Sequence, residues 1–153
     1  LSTVYLVPAS EFIKELKEEL KKGYSESIKP PPWADFVKTA VYKTKQPTQQ
    51  DWWFTRCASI LRKIYVKNTI GVSRLRGEYK GPQPRGTGPI QSRKGSGSIL
   101  RKILQELEAT GLVEKYQTKG RRLTPKGVSL LDRVAHKVRS SLQKEEIPDL
   151  KKY

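Results

Sequence analysis

The residues able to do chemistry are few. The chain has 153 residues with one cysteine, Cys57, and one histidine, His136. A thiol and an imidazole could form a nucleophile and its base. A structural zinc site needs four such ligands, so these two cannot build one. Cys57 also falls on the apolar stripe of an amphipathic segment, where a small core residue is expected. The carboxylates are interleaved with lysines, as in Glu11, Glu15, Glu18 and Glu19 against Lys14, Lys17, Lys21 and Lys22, so no acid–base pair stands out. No segment carries the Lys-Ser/Thr ending of a nucleotide phosphate loop. No enzyme constellation, metal site or cofactor is expected.

The remaining chemistry is that of phosphate. Lys and Arg number 31 against 15 Asp and Glu, a formal net charge of +16. Self-repulsion of this size destabilises a compact chain unless a polyanion neutralises it. Nucleic acid is the first candidate partner and a membrane surface the second. No apolar run approaches the ~20 residues a spanning helix needs, and no secretory leader is visible. A lone cysteine allows no intrachain disulfide and fits a reducing compartment. Methionine is absent. An initiator Met is normally kept before Leu, so residues ahead of Leu1 are expected to be missing.

Charge is uneven along the chain. Residues 1–50 carry 8 basic and 6 acidic residues, residues 51–98 carry 10 and 2, and residues 99–153 carry 13 and 7. The middle third is the expected contact surface and the first third reads as scaffold. Within 71–98, Arg74, Arg76, Lys80, Arg85, Arg93 and Lys94 recur at short intervals among seven Gly and three Pro, with Tyr79 as a stacking face. No periodicity survives there, so a long extended loop lying against folded RNA is expected. Its end, Gly95-Ser96-Gly97-Ser98, could offer N–H groups to a phosphate.

Several elements must position these groups. Ser10 can cap a helix over about 10–22, with Phe12, Ile13, Leu16 and Leu20 on one face. Pro30-Pro31-Pro32 is a stiff connector to a short helix at 33–40, whose buried face would be Trp33, Phe36 and Val37. Asp51 can cap a long helix to about Val66. Trp53, Cys57, Ile60, Leu61 and Ile64 form its stripe. Arg56, Lys63 and Lys67 share a sector beside that stripe, flanked by Trp52 and Ser59. Arg62 points further round. No carboxylate follows Asp51 on this helix, so phosphate contacts are expected of these cations.

Ser98 can cap a helix over 99–110 that displays Arg101 and Lys102 and ends at Gly111. Leu112–Tyr116 and Arg121–Leu123 read as a hairpin with Lys119, Arg121 and Arg122 at its tip. Thr124-Pro125 opens a last helix to about Ser141, with Val128, Leu131, Val134, Ala135 and Val138 inward and His136 outward. One domain over 1–142 and a polar tail over 143–153 follow. Helix, basic hairpin, helix is a winged-helix order, so a winged-helix DNA-binding regulator is the alternative to an RNA-bound protein. Against that alternative, no helix offers a second long apolar face for a dimer partner.

The run Trp52-Trp53-Phe54-Thr55-Arg56-Cys57-Ala58-Ser59-Ile60-Leu61-Arg62-Lys63 resembles the long-helix signature of the ribosomal protein S19e family of the small subunit. So do Gly71-Val72, Leu75-Arg76, Tyr79, Gly95–Ile99, Leu104-Gln105, Leu107-Glu108, Gly120-Arg121, Thr124–Gly127 and Leu131-Asp132. Thr3-Val4-Tyr5, Val7-Pro8, Pro31-Pro32-Trp33 and Phe36–Thr39 are similar to its archaeal branch. The resemblance spans residues 3–138. Cys57 stands where the family often has Ala, and Lys80-Gly81 where it often has Gly-Gly.

The resemblance implies a mostly α, winged-helix-like fold: about five helices around a central amphipathic helix, with a small β-hairpin. It implies a structural place in the head of the small ribosomal subunit, bound to small-subunit ribosomal RNA beside neighbouring ribosomal proteins. In eukaryotic members it also implies a part in subunit maturation. Arg56, Arg62 and Arg101 match basic family positions that matter for assembly. The expected RNA-binding set is therefore Arg56, Arg62, Lys63, Lys67, Arg74, Arg76, Tyr79, Lys80, Arg85, Arg93, Lys94, Arg101, Lys102, Lys119, Arg121 and Arg122. No small-molecule substrate, membrane or second copy of the chain is expected as a partner.

Overall fold

The computed structural model describes residues 3–150, and the side chains of residues 3–144. It is mostly helical. After a short 3-10 turn at Thr3–Leu6, α1 spans Ala9–Gly23 and buries Phe12, Leu16 and Leu20. α2 spans Trp52–Lys67, and Trp53, Cys57, Ala58, Ile60, Leu61 and Ile64 on its inner face are at most 1% exposed. Asn68 ends it at φ 65° and ψ −53°, the sparsely populated γ-turn region. β1 (Thr69–Ile70) and α3 (Val72–Glu78) follow. β2 (Gly81–Arg85) and β3 (Gly88–Arg93) form one hairpin. α4 is Gly97–Ala109, β4 Val113–Lys115, β5 Arg121–Leu123 and α5 Pro125–Leu150.

α2 is the hub because its polar groups reach three other helices as its apolar stripe fills the core. Asp51, just before it, pairs with Lys17 at 3.0 Å and Lys21 at 2.5 Å on α1. The Trp53 indole N–H donates to Glu106 Oε2 on α4 at 2.8 Å. The Tyr65 hydroxyl donates to Asp132 Oδ1 on α5 at 2.8 Å. Burial raises the Glu106 pKa, and the Trp53 bond and Lys102 partly counter it. A buried carboxylate is tolerated only when hydrogen bonding offsets lost hydration.

The three-stranded antiparallel sheet has the order β1-β5-β4, with Thr69 opposite Arg122 and Val113 opposite Leu123. Flanked by α4 and α5, it gives the winged-helix-like half. β1 is a strand the hairpin reading lacks; two residues are too few to show alternation. Gly120, at φ +115°, lets the β4–β5 hairpin, the wing, close on β1, since a Cβ there would stand 2.6 Å from the Ile70 carbonyl oxygen.

Five α-helices are present among the described residues, and four of them are expected ones. The 33–40 helix is only a 3-10 turn at Pro32–Asp35. Ala34 is its buried residue, while Phe36 is 76% and Trp33 37% exposed. The fifth helix is α3, anchored by the fully buried Leu75 inside the stretch expected to be an extended loop. Most of the rest of that stretch is the β2–β3 hairpin, paired Gly81 to Arg93, Pro82 to Ser92 and Gln83 to Gln91. Its three prolines are permitted because each strand has a free edge.

The caps also differ. Ser10 lies inside α1, whose N-cap position is Pro8. Asp51 occupies the N-cap of α2 without a side-chain cap bond, because its carboxylate is taken by the two lysines. α4 starts one residue before Ser98, with Ser96 at its N-cap. Thr124 does cap α5, its Oγ1 accepting from the Gly127 N–H at 3.2 Å. On α5, Leu131, Val134, Ala135 and Val138 are buried as expected, Leu130 joins them, and Val128 is 37% exposed. α5 continues to Leu150 rather than stopping near Ser141. No glycine interrupts Leu142–Glu146, and Gln, Lys and Glu are good helix formers. Residues 151–153 of the expected tail lie outside the described residues.

Candidate nucleic-acid interface

The basic sector of α2 meets α3 through Tyr79. The Arg56 guanidinium carbon lies 4.1 Å from the Tyr79 ring centroid and Lys63 Nζ 5.1 Å from it. The Tyr79 hydroxyl and Ser59 Oγ are 2.7 Å apart. Burial raises the Tyr79 pKa; the Ser59 bond and Arg56 oppose that rise. The ring expected to stack on RNA is thus engaged inside the protein, as the platform that orients Arg56.

Lys63 and Lys67 do have a carboxylate partner, contrary to expectation. Glu78 at the end of α3 reaches them at 3.4 and 3.7 Å. It is eleven residues beyond Lys67 in sequence, and only the packing of α3 onto α2 brings it there. Arg62 is half-buried, and its Nε is buried without a hydrogen-bond partner among the described residues.

Arg76 is held rigidly although exposed. Its Nε donates to the Gly95 carbonyl at 2.9 Å, and a Cβ at Gly97 would stand 3.2 Å from its Cδ. The glycines of Gly95-Ser96-Gly97-Ser98 therefore make room for Arg76 and for Tyr79, whose Cβ lies 3.0 Å from where a Gly95 Cβ would sit. The Gly95 and Ser96 N–H groups are spent on the carbonyls of Arg76 and Thr39, so they are not free for a phosphate.

Lys80, Arg85, Arg93 and Lys94 lie exposed along the β2–β3 hairpin and its root. The root is seated on Tyr42: that ring covers Gly81, and its hydroxyl donates to the Tyr79 carbonyl at 2.7 Å. Arg74 on α3 and Lys119 in the wing turn line one shallow groove together with Thr118. Arg101 and Lys102 stand exposed on α4.

The wing strand is different. Arg121 pairs with Glu108, and Arg122 pairs with Glu114 at 2.6 Å while lying 4.4 Å over the Tyr116 ring. These two arginines sit in β5, and of the three expected at the tip only Lys119 is in the turn.

Among the described residues no ion pair involves Arg56, Arg74, Arg76, Lys80, Arg85, Arg93, Lys94, Arg101, Lys102 or Lys119. These ten unpaired cations are spread over α2, α3, the hairpin arm and its root, α4 and the wing turn. Sequence reasoning missed Lys43 and Lys45, which line a cleft with Trp52 and Arg56. Averaging charge over residues 1–50 hid them. Residues 36–50 alone hold three Lys and no acid, which was the available signal. Among the described residues no group of three or more His, Cys, Asp and Glu could hold a metal ion, and no helix is long and apolar enough to cross a membrane.

The profile of the family described as Ribosomal protein S19e matches residues 3–141. A small ribosomal subunit protein eS19 from Aeropyrum pernix is 45% identical over 148 residues, covering 96% of this chain and 95% of its own. One from Thermoplasma volcanium is 42% identical, covering 94% of each chain. The eS19B protein of Schizosaccharomyces pombe is 41% identical, covering 92% and 94%.

Proposed function

This chain belongs to the ribosomal protein S19e family, and from that premise we propose that it is a structural, non-catalytic constituent of the cytoplasmic small ribosomal subunit, bound to the subunit's RNA. Its relatives carry the name of a small-subunit protein over nearly their whole length. The finer reading is a place in the subunit head, contact with neighbouring ribosomal proteins, and support of subunit maturation.

The observation that carries the RNA reading is where the uncompensated cations lie. Of the expected set, the unpaired members lie mainly along the arm Gly81–Arg93 and the helices beside it, while the wing arginines are spent on Glu108 and Glu114. A duplex-DNA regulator would use its wing, where, among the described residues, this chain spends both arginines and leaves Lys119 as the one unpaired cation of the expected set. A-form RNA hides base edges in a deep major groove, so recognition acts on shape, 2′-OH groups and backbone.

The test is sedimentation of a lysate followed by a high-salt wash, with the protein quantified in each fraction. Stoichiometric migration with the small subunit supports the reading. Recovery in light fractions or on chromatin overturns it. In isolated complexes, ten phosphate contacts would lower log K by roughly seven to nine per tenfold rise in salt, and a slope near one would defeat the multi-phosphate picture.

A further inference from the structure

Residues 43–49 face the first turns of α2 across a cleft of about 470 Å3. The segment is anchored rather than loose. Tyr42 donates to the Tyr79 carbonyl at 2.7 Å, and Gln46 Nε2 donates to the Phe36 carbonyl at 2.9 Å. Lys43, Lys45 and Gln49 line one side; Trp52, Thr55 and Arg56 line the other. No carboxylate lines the cleft. The nearest in sequence, Asp51, is held by Lys17 and Lys21. Trp52 packs edge-to-face on Trp53, with ring centroids 5.3 Å apart, and Arg56 is fixed by the Tyr79 ring.

We propose that this cleft receives one unpaired nucleotide of RNA, its base against Trp52 and its phosphates between Lys43, Lys45 and Arg56. The proposal rests on the RNA-binding reading above and deepens it. Within a duplex both faces of every base are covered by stacked neighbours, so an aromatic wall can engage only a base that has left the stack. The Gln49 amide can donate and accept at its edge, and the Thr55 hydroxyl, whose proton goes to the Asp51 carbonyl, can accept. The cations suit phosphate, and with no carboxylate in the lining nothing repels it. The wall is preformed, so little ordering is required when the nucleotide enters.

The experiment uses the full chain and two RNA hairpins that differ only by one bulged 2-aminopurine. The bulged probe is expected to bind at least about tenfold more tightly, with a change in 2-aminopurine fluorescence on stacking. Trp52→Ala should erase the preference and Trp52→Phe should keep most of it. Lys43→Ala with Lys45→Ala, on the exposed segment, should lower the salt slope for the bulged probe by about 1.4. Equal affinity for both hairpins with unchanged fluorescence overturns the nucleotide cleft while leaving general RNA binding intact. A preference that survives Trp52→Ala also overturns it. Binding of neither hairpin defeats both the cleft and the RNA-binding reading. If a polyglutamate peptide then binds, the cleft belongs to an acidic protein tail.

Discussion

Arg56 rests on Tyr79: its guanidinium carbon is 4.1 Å from the ring centroid, and the ring's hydroxyl is locked to Ser59 at 2.7 Å. The contact fixes the planar face of the guanidinium while leaving its N–H edge for an outside acceptor. Charge reversal at Arg56 and Arg62 together is expected to cost about 1–2 kcal/mol of stability through lost stacking and stem packing. Incorporation into the small subunit should fall far more. Denaturant melts beside gradient profiles separate the two effects. A lowered melting point with normal incorporation would contradict the assignment.

The β2–β3 arm is almost wholly exposed, and an isolated two-stranded hairpin is marginal in water. Arg85→Ala and Arg93→Ala should therefore leave stability within ~0.5 kcal/mol of the parent. Each is expected to reduce the salt slope of RNA binding by about 0.7–0.9. Binding titrations at several salt concentrations measure this; an unchanged slope would remove the arm from the interface.

Leu104 is 0% exposed in the core. Leu104→Ala should cost ~2–5 kcal/mol, read from urea midpoints at constant m-value. RNA affinity extrapolated to fully folded protein should stay the same.

The Asp51 carboxyl is lowered from 3.8 to about 2, chiefly by its hydrogen bond from Lys21 and then by Lys17. The unfolded chain takes up this proton at higher pH than the folded one. The stabilisation is therefore present above about pH 4 and is lost as pH falls toward 2. Asp51→Asn should cost about 1 kcal/mol at neutral pH and flatten the acid limb of the stability curve between those values. A variant whose acid limb matches the parent's would show that the α1 pairing contributes nothing.

Cys57 is fully buried, and burial pushes its thiol pKa up. Reaction with a thiol reagent should track global unfolding, with labelling rates rising in step with the urea transition. Fast labelling in native buffer would show that the α2 core opens locally.

Much of the fold was legible because it is written in local periodicity. α1, α2, α4 and the wing follow from apolar spacing, and the Thr124 cap and the Gly111 stop from side-chain chemistry at fixed offsets. The excess of positive charge was legible too, since net charge needs no coordinates. α3 was not: a seven-residue helix surrounded by glycines and charges carries too short a pattern, and it forms because Leu75 finds the core. Phe36 has the composition of a core residue, but the chain leaves the proline turn without a helix to carry it inward.

The sequence by itself determined the longer helices, the wing hairpin, the net charge and the family. Tertiary structure decided which cations are available. Glu78 neutralises Lys63 and Lys67, Glu108 and Glu114 neutralise the wing arginines, and Tyr79 turns inward to hold Arg56. It also set Lys43 and Lys45 across from Trp52 and Arg56, joining a segment that reads as scaffold to the basic face. The physical reason is range. Backbone propensity and side-chain periodicity act over a few residues, whereas the pairing of a charge is settled by whichever residue packing brings within about 4 Å, however far away in sequence.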